Sequence, residues 1–419
     1  MFISLYYLSY ISQLFFSHLV YLTLIFSAFI LYNQIIKKKD DLFKIFLVIL
    51  PTLSPINFNG IKFDTSIYFF INFDPIFIAS LFYFYRNCIK INFRKISFIF
   101  LIYIFLFIYS LIQLFYMYFD GQEHNQGLTY AFKAMFYVNV IFNVYNNDLT
   151  NFKKQVIKII TLSLIVILVR EILIQYDGLK ITGHLIFLAA AFPALIIFYR
   201  FNIKNISLYL ISIFLFLIQS YTVVSIFIVS NLLIFMRKFR IIFNKTNVII
   251  LINFKIIFLI SIFYLDILIK NYDPDNYLYT KFLYDRLPIF LATLDNLQFF
   301  EFQSKVLYIQ YDNIVTTDTE WASGSHNYFL TMAQKLGIIP ASILLLLINL
   351  FFIKLFNKIK SNYYSTDEIF RLLFIVLLSS FSVFSSAGNA FAEMTGFLFF
   401  LLLGSLNSLV KLKKNNISD

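Results

Sequence analysis

His326, Arg286, Lys180 and Arg170 are the residues whose type and place could carry chemistry in a chain otherwise dominated by apolar side chains. His326 lies in Trp321-Ala-Ser-Gly-Ser-His-Asn-Tyr-Phe-Leu330, where Gly324 and Ser325 can turn the chain and cap a helix. The histidine then falls in the first helical turn, and the positive end of the helix dipole disfavours an imidazolium there. A neutral, outward-facing imidazole can accept a proton as a general base. It can equally serve as a cap or an interfacial hydrogen-bonding group, and the local sequence leaves both open. Arg286 lies in Tyr284-Asp-Arg-Leu-Pro-Ile-Phe-Leu-Ala-Thr-Leu-Asp295. Pro288 suits the first turn of an amphipathic helix. A guanidinium before that helix can grip phosphate through two parallel hydrogen bonds, or simply pair with Asp285.

Arg170, in Leu168-Val-Arg-Glu-Ile172, Lys180, in Gly178-Leu-Lys-Ile-Thr-Gly-His184, and Lys133 sit outside the clusters where most basic residues gather. A charge at membrane depth is costly and therefore functional by default, although Glu171 and snorkelling can offset part of the cost for Arg170. Lys180, within a polar break, is the stronger of these.

The elements that must hold these residues are apolar. The 419 residues are 60% hydrophobic and 13% charged, roughly half the charge of an ordinary soluble domain, and the mean hydropathy is +0.79. That excludes a water-soluble globular protein and points to an all-α, polytopic integral membrane protein. At about 20 residues per crossing, the apolar runs make about 12 to 14 transmembrane helices in one domain spanning residues 1–419. The net charge of +12 would suggest nucleic acid in a soluble chain; here it reads as topology, because basic residues collect in cytoplasmic loops. One cysteine, Cys88, allows no internal disulfide, and four histidines without a second thiol make a structural zinc site unsupported. The first 30 residues lack a basic leader and a small-residue cleavage site, so they read as a retained span.

Lysine and arginine orient the spans. Lys37 to Lys44, Arg86 to Lys95, Lys153 to Lys158, Arg200 with Lys204, Arg237 to Lys245, Lys354 to Lys360 and Lys411 to Lys414 mark one side, which places the C-terminus in the cytoplasm. The apolar stretch from Ile206 to Met236 has basic flanks at both ends and so requires two short spans, turning near Gln219 to Thr222. The start allows either one span from about 11 to 33 or two short ones. On the opposite side, residues 270–325 form the one large extracytoplasmic loop. Eight acids (Asp273, Asp275, Asp285, Asp295, Glu301, Asp312, Asp318, Glu320) face four bases (Lys270, Lys281, Arg286, Lys305) there, a net of four negative charges. Long loops of this kind usually carry function, and Leu287 to Leu297 reads as a surface helix within it. After the loop, Gly337 can end one helix in the left-handed conformation and Pro340 can open the next, a span from about 341 to 357.

An outer loop with arginine ahead of an apolar helix, then His-Asn, then Gly-Ile-Ile before a new span, resembles the O-antigen polymerase (Wzy-like) and O-antigen ligase superfamily of GT-C-type membrane glycosyltransferases. The match is carried by Asp285 to Leu294 and Ser325 to Ile339. A weaker match is Leu179 to Ala189, where the family has arginine in the place of Lys180. The family's Ser-Arg pair at the end of a span is represented only by Gln219-Ser-Tyr-Thr222, so a reduced or rearranged phosphate-gripping set is expected.

The resemblance implies an inverting, metal-independent transfer of an undecaprenyl diphosphate-linked glycan on the outer face of the bacterial inner membrane, with no cofactor. It implies that His326 takes the proton from the acceptor hydroxyl, that Arg286 and Lys180 hold the diphosphate with Arg170 in reserve, and that Asn327 orients the histidine or a sugar. An O-antigen polymerase uses a second lipid-linked repeat unit as acceptor; a ligase uses the lipid A core. The Phe, Ile and Tyr content leans to the polymerase. A flippase or other transporter is the more distant alternative, disfavoured because such proteins concentrate charge at mid-membrane in paired halves. The partners implied are the lipid-linked oligosaccharide, the bilayer and a chain-length regulator protein; none is a nucleic acid.

Overall fold

The computed structural model describes residues 1–12, 19–37, 41–53, 56–58, 61–63, 75–89, 98–119, 136, 154–163, 165–166, 246, 249–250, 253, 287–301, 309–312, 319–322, 328–361, 397 and 400–404. These are mostly helical. Five of the eight helices among the described residues lie in the amino-terminal third: α1 (Phe2–Ser12), α2 (Leu19–Leu31), α3 (Leu42–Leu53), α4 (Pro75–Ile89) and α5 (Phe98–Phe119). The remainder are α6 (Leu287–Asp295), α7 (Tyr328–Leu336) and α8 (Ile338–Ser361). Two antiparallel hairpins, β1 (Ile56–Phe58) with β2 (Ile61–Phe63) and β3 (Ile309–Asp312) with β4 (Thr319–Ala322), depart from an all-helical expectation. Both fall in polar breaks between apolar runs. Their β-branched and aromatic residues, too few for a helix to be nucleated, favour short strands.

The amino-terminal segment forms two helices rather than one from 11 to 33. Phe2 meets Phe29 with ring centroids 4.6 Å apart, and Thr23 Oγ1 donates to Ser9 Oγ at 3.1 Å. Contacts of 2 with 29 and 9 with 23 define an antiparallel helical hairpin. Helix α3 is interrupted by Pro51, which has no N–H for the carbonyl four residues back, that of Leu47. Tyr7 supplies the missing donor, its hydroxyl reaching Leu47 O at 2.6 Å, and Tyr6 bonds the next carbonyl, Val48 O, at 2.7 Å. The two tyrosines thus satisfy the proline-disrupted turn from outside the helix.

Several basic breaks are joined at one end of this bundle. Arg86, in the last turn of α4, donates to Ile35 O at 3.2 Å, within the wide π-turn Tyr32–Ile36 that follows α2. Leu42 N donates to Gln155 Oε1 at 3.0 Å, and Lys158 lies over the Phe43 ring at 5.7 Å. Asp41 caps α3 by accepting from Lys44 N at 3.2 Å. An aromatic row makes the core: Phe46 to Phe397 at 5.4 Å, Phe397 to Phe136 at 6.3 Å and Phe136 to Tyr83 at 6.2 Å. Helix α8 is tied to the 249–253 segment by a reciprocal carboxamide pair, Asn253 and Asn349, at 2.9 and 3.0 Å.

Although most buried side chains are apolar, α2 and α5 each bury polar residues while exposing apolar ones. On α5 the exposed positions are Leu101, Ile108, Leu111, Ile112, Phe115, Tyr116 and Phe119, a stripe at helical spacing, while Ser110 and Gln113 are fully buried. On α2 the buried Thr23 and Ser27 oppose exposed Tyr21, Leu22, Ile25 and Phe29. The inward hydroxyls bond to their own helix, as Ser110 does to Leu106 O at 2.7 Å and Ser27 to Leu24 O at 2.8 Å. Searched over the described residues alone, no helix is long and apolar enough to cross a membrane. Helix α5 runs for 22 residues without a charged side chain, a rise of about 33 Å.

Candidate functional site

None of the residues singled out for chemistry is placed: His326, Asn327, Arg286, Lys180 and Arg170 all lie outside the described residues, as do Lys133 and the 219–222 turn. What is placed is the frame on either side of two of them. Helix α6 begins at Leu287, immediately after Arg286, and α7 begins at Tyr328, immediately after Asn327. The described part of α7 starts two residues beyond His326, so the expected place of the histidine in a first turn lies outside the described residues. The helix expected from Leu287 is present, with Pro288 as its second residue, where a missing N–H costs nothing.

Both helices end at one hydrogen-bonded corner. Gly337 separates α7 from α8 with φ of 90°, the left-handed conformation expected of a glycine that stops a helix. Its N–H closes the last turn on Ala333 O at 2.8 Å. The first amides of α8 have no partner within their own helix. Here Ile338 N donates to Gln298 O at 2.9 Å and Ile339 N to Phe299 O at 3.1 Å, both in the segment that leaves α6. Pro340 has no N–H to satisfy, and Ala341 N reaches Gly337 O at 3.3 Å. In return Glu301 N donates to Leu336 O, the last carbonyl of α7, at 3.3 Å. Residues 298–301 thus lie across the α7–α8 corner as a backbone cap. The approach is so close that a Cβ on Gly337 would sit 2.6 Å from Phe299 O and from Phe300 Cα.

Helix α5 fastens this corner to the bundle. The Tyr109 hydroxyl lies between two carbonyls, Glu301 O at 2.6 Å and Leu336 O, and shares its single proton between them. Gln113, one turn on, donates from Nε2 to Glu301 O at 2.9 Å. The Tyr109 and Phe300 rings lie 6.2 Å apart. Lys335, in the last turn of α7 and only 3% exposed, is the one buried lysine or arginine among the described residues. Burial pushes its ammonium down from 10.5 to about 8, against the opposing pull of the Glu301 carboxylate. A lysine poised near neutrality can hold or release a proton, and in its charged form it favours a neighbouring anion.

Tyr109, Gln113 and Lys335 did not stand out in the sequence. Lys335 carried a usable signal, a cation inside the motif that precedes Gly337. Tyr109 and Gln113 carried none, being two polar residues inside a long apolar run. No metal-binding group of three or more His, Cys, Asp or Glu residues occurs among the described residues. Set beside known protein families, characterised proteins and solved structures, the chain matches none of them.

Proposed function

We propose that the chain is a multi-pass membrane glycosyltransferase of the O-antigen polymerase type. It transfers an undecaprenyl diphosphate-linked glycan to a hydroxyl of a second lipid-linked repeat unit, on the outer face of the bacterial inner membrane. The observation that carries this reading is the corner. The segment following Arg286 and the segment following His326, some forty residues apart in sequence, end on the same backbone cap, and the glycine of the Gly-Ile-Ile motif is the residue that makes the cap possible. The helix that follows Arg286 and the helix that follows Asn327 are thereby joined through residues 298–301, just beyond the first part of the motif, which supports a shared site.

The membrane setting is supported by the inverted polarity of α2 and α5. Burying serine, threonine and glutamine while exposing a stripe of leucine, isoleucine and phenylalanine is costly in water and favourable in hydrocarbon. The joining of the breaks at 35–44, 86 and 155–158 at one end agrees with one cytoplasmic side.

In this reading His326 removes the proton from the acceptor hydroxyl as that oxygen attacks the anomeric carbon of the donor sugar. The bond to the diphosphate breaks, and the charge that builds on the leaving group is held by Arg286 and Lys180, with Arg170 in reserve. Asn327 orients the imidazole or a sugar. The inner-membrane protein meets its lipid-linked substrate in the bilayer, and a chain-length regulator is the candidate protein partner.

The test is the lipopolysaccharide banding pattern after the gene is removed and restored as wild type or as His326→Ala at matched membrane expression. The reading expects a ladder that collapses to core plus a single repeat and returns only with wild type. Complete loss of attached polysaccharide, with lipid-linked polymer accumulating, would instead identify a ligase. An unchanged ladder would overturn the glycosyltransferase reading for this polysaccharide.

A further inference from the structure

Gln113 is fully buried and only half satisfied. Its Nε2 donates to Glu301 O, but its Oε1 has no hydrogen-bonding partner among the described residues. A leucine there would fill similar space without burying an unmatched acceptor, so packing stability alone does not favour glutamine. What the glutamine adds is direction. Together with the Tyr109 hydroxyl it aims two donors, from adjacent turns of α5, at the one carbonyl of Glu301, and Tyr109 also reaches the last carbonyl of α7. These bonds join residues 188 to 227 positions apart, and they fix both the depth and the rotation of the corner on the bundle. Helix α7 is nine residues long and rigidly continuous with that corner. Whatever holds its C-terminal end also sets where its N-terminal end, directly after His326 and Asn327, can lie.

We propose that Tyr109 and Gln113 are positioning residues for the transfer reaction. They hold α7 at one height against α5, so that the general base is presented to the acceptor in a reactive geometry. This rests on the glycosyltransferase reading above. A base displaced by an ångström slows the chemical step far more than it weakens substrate binding.

The full-length protein, reconstituted in liposomes, is compared with Tyr109→Phe, Gln113→Leu and Phe115→Leu. Phe115 lies on the exposed face of the same helix and serves as the control. The probe is the lipid-linked oligosaccharide extracted from membranes of the source strain lacking the gene. Two quantities are read: turnover per folded molecule at saturating probe together with KM, and hydrogen exchange at the amides of 301 and 336–339. Tyr109→Phe and Gln113→Leu should each raise exchange at those amides and lower kcat by about tenfold or more, with KM within about twofold; Phe115→Leu should change neither. A merely structural role would reduce the amount of folded protein while leaving kcat per folded molecule intact. Unchanged exchange in both variants overturns the anchor, and loosened exchange with wild-type kcat overturns its role in positioning. Wild-type protein without transfer overturns the underlying reading, an outcome visible before any variant is made.

Discussion

Replacing Gly337 with alanine should be the most damaging single-methyl change in the described structure, and its cost can be worked from the corner's geometry. An L-residue at φ of 90° pays about 1–2 kcal/mol in backbone strain. The added Cβ would stand 2.6 Å from Phe299 O, 2.6 Å from Phe300 Cα and 2.8 Å from Glu301 N. All three are backbone atoms, so no side chain can rotate away. The segment 298–301 must retreat, loosening the bonds from Ile338 to Gln298, from Ile339 to Phe299 and from Glu301 to Leu336. Losing the better part of one or two such bonds adds about 1 kcal/mol each, and residual overpacking about 1 more. The sum is about 3–5 kcal/mol. At about 2 °C per kcal/mol for a large domain, Tm should fall by about 6–10 °C, read by the loss of the monodisperse peak of detergent-solubilised protein on heating. Gly337→Asn separates the two causes. Asparagine tolerates positive φ but carries a Cβ, so it should recover at most the strain and remain several degrees below wild type. An alanine variant within about 0.5 kcal/mol of wild type, a margin typical of featureless surface sites, would refute the close-approach argument. Full recovery by asparagine would show that conformation alone, and not space, demands glycine.

Two further outcomes follow from the buried polar groups. The Lys335 ammonium is pushed down to about 8 from 10.5 in the folded protein, so the unfolded chain binds more protons across that interval and stability should rise with pH through it. The burial penalty is fully present below pH 8. The rise amounts to about 3 kcal/mol for a shift of this size. Lys335→Met should abolish it and stabilise the protein near pH 7; unfolding midpoints that climb in parallel for both proteins between pH 8 and 10.5 would contradict the assignment. In α1, Tyr7→Phe should cost about 1 kcal/mol by stripping Leu47 O of α3 of its donor, and much less in a Pro51→Ala background, where the new amide restores the helical bond. A double-mutant cycle measures that coupling, and additive costs would show that the tyrosine is not serving the proline kink.

The local devices around the candidate site were legible from residue types alone. Pro288 could only open a helix, Gly337 could only stop one cheaply, and Pro340 fitted the first turn of the next, because each follows from the backbone freedom of a single residue. The two hairpins, by contrast, escaped notice because three- and four-residue strands carry too few alternations to register as a period. The donors for Leu47 O and Glu301 O escaped for a different reason. A tyrosine hydroxyl inside an apolar helix bonds whichever carbonyl the fold presents, and nothing near Tyr7, Tyr109 or Gln113 in sequence names a partner forty or two hundred residues away.

Sequence by itself therefore determined the kind of molecule this is proposed to be and the local shape of its motif, through the cost of putting charge in hydrocarbon and the backbone limits of glycine and proline. Tertiary structure alone decided that residues 298–301 cap the α7–α8 corner and that Tyr109 and Gln113 carry it. Hydrogen bonds depend on distance and angle between groups brought together by packing, and spacing along the chain does not encode either.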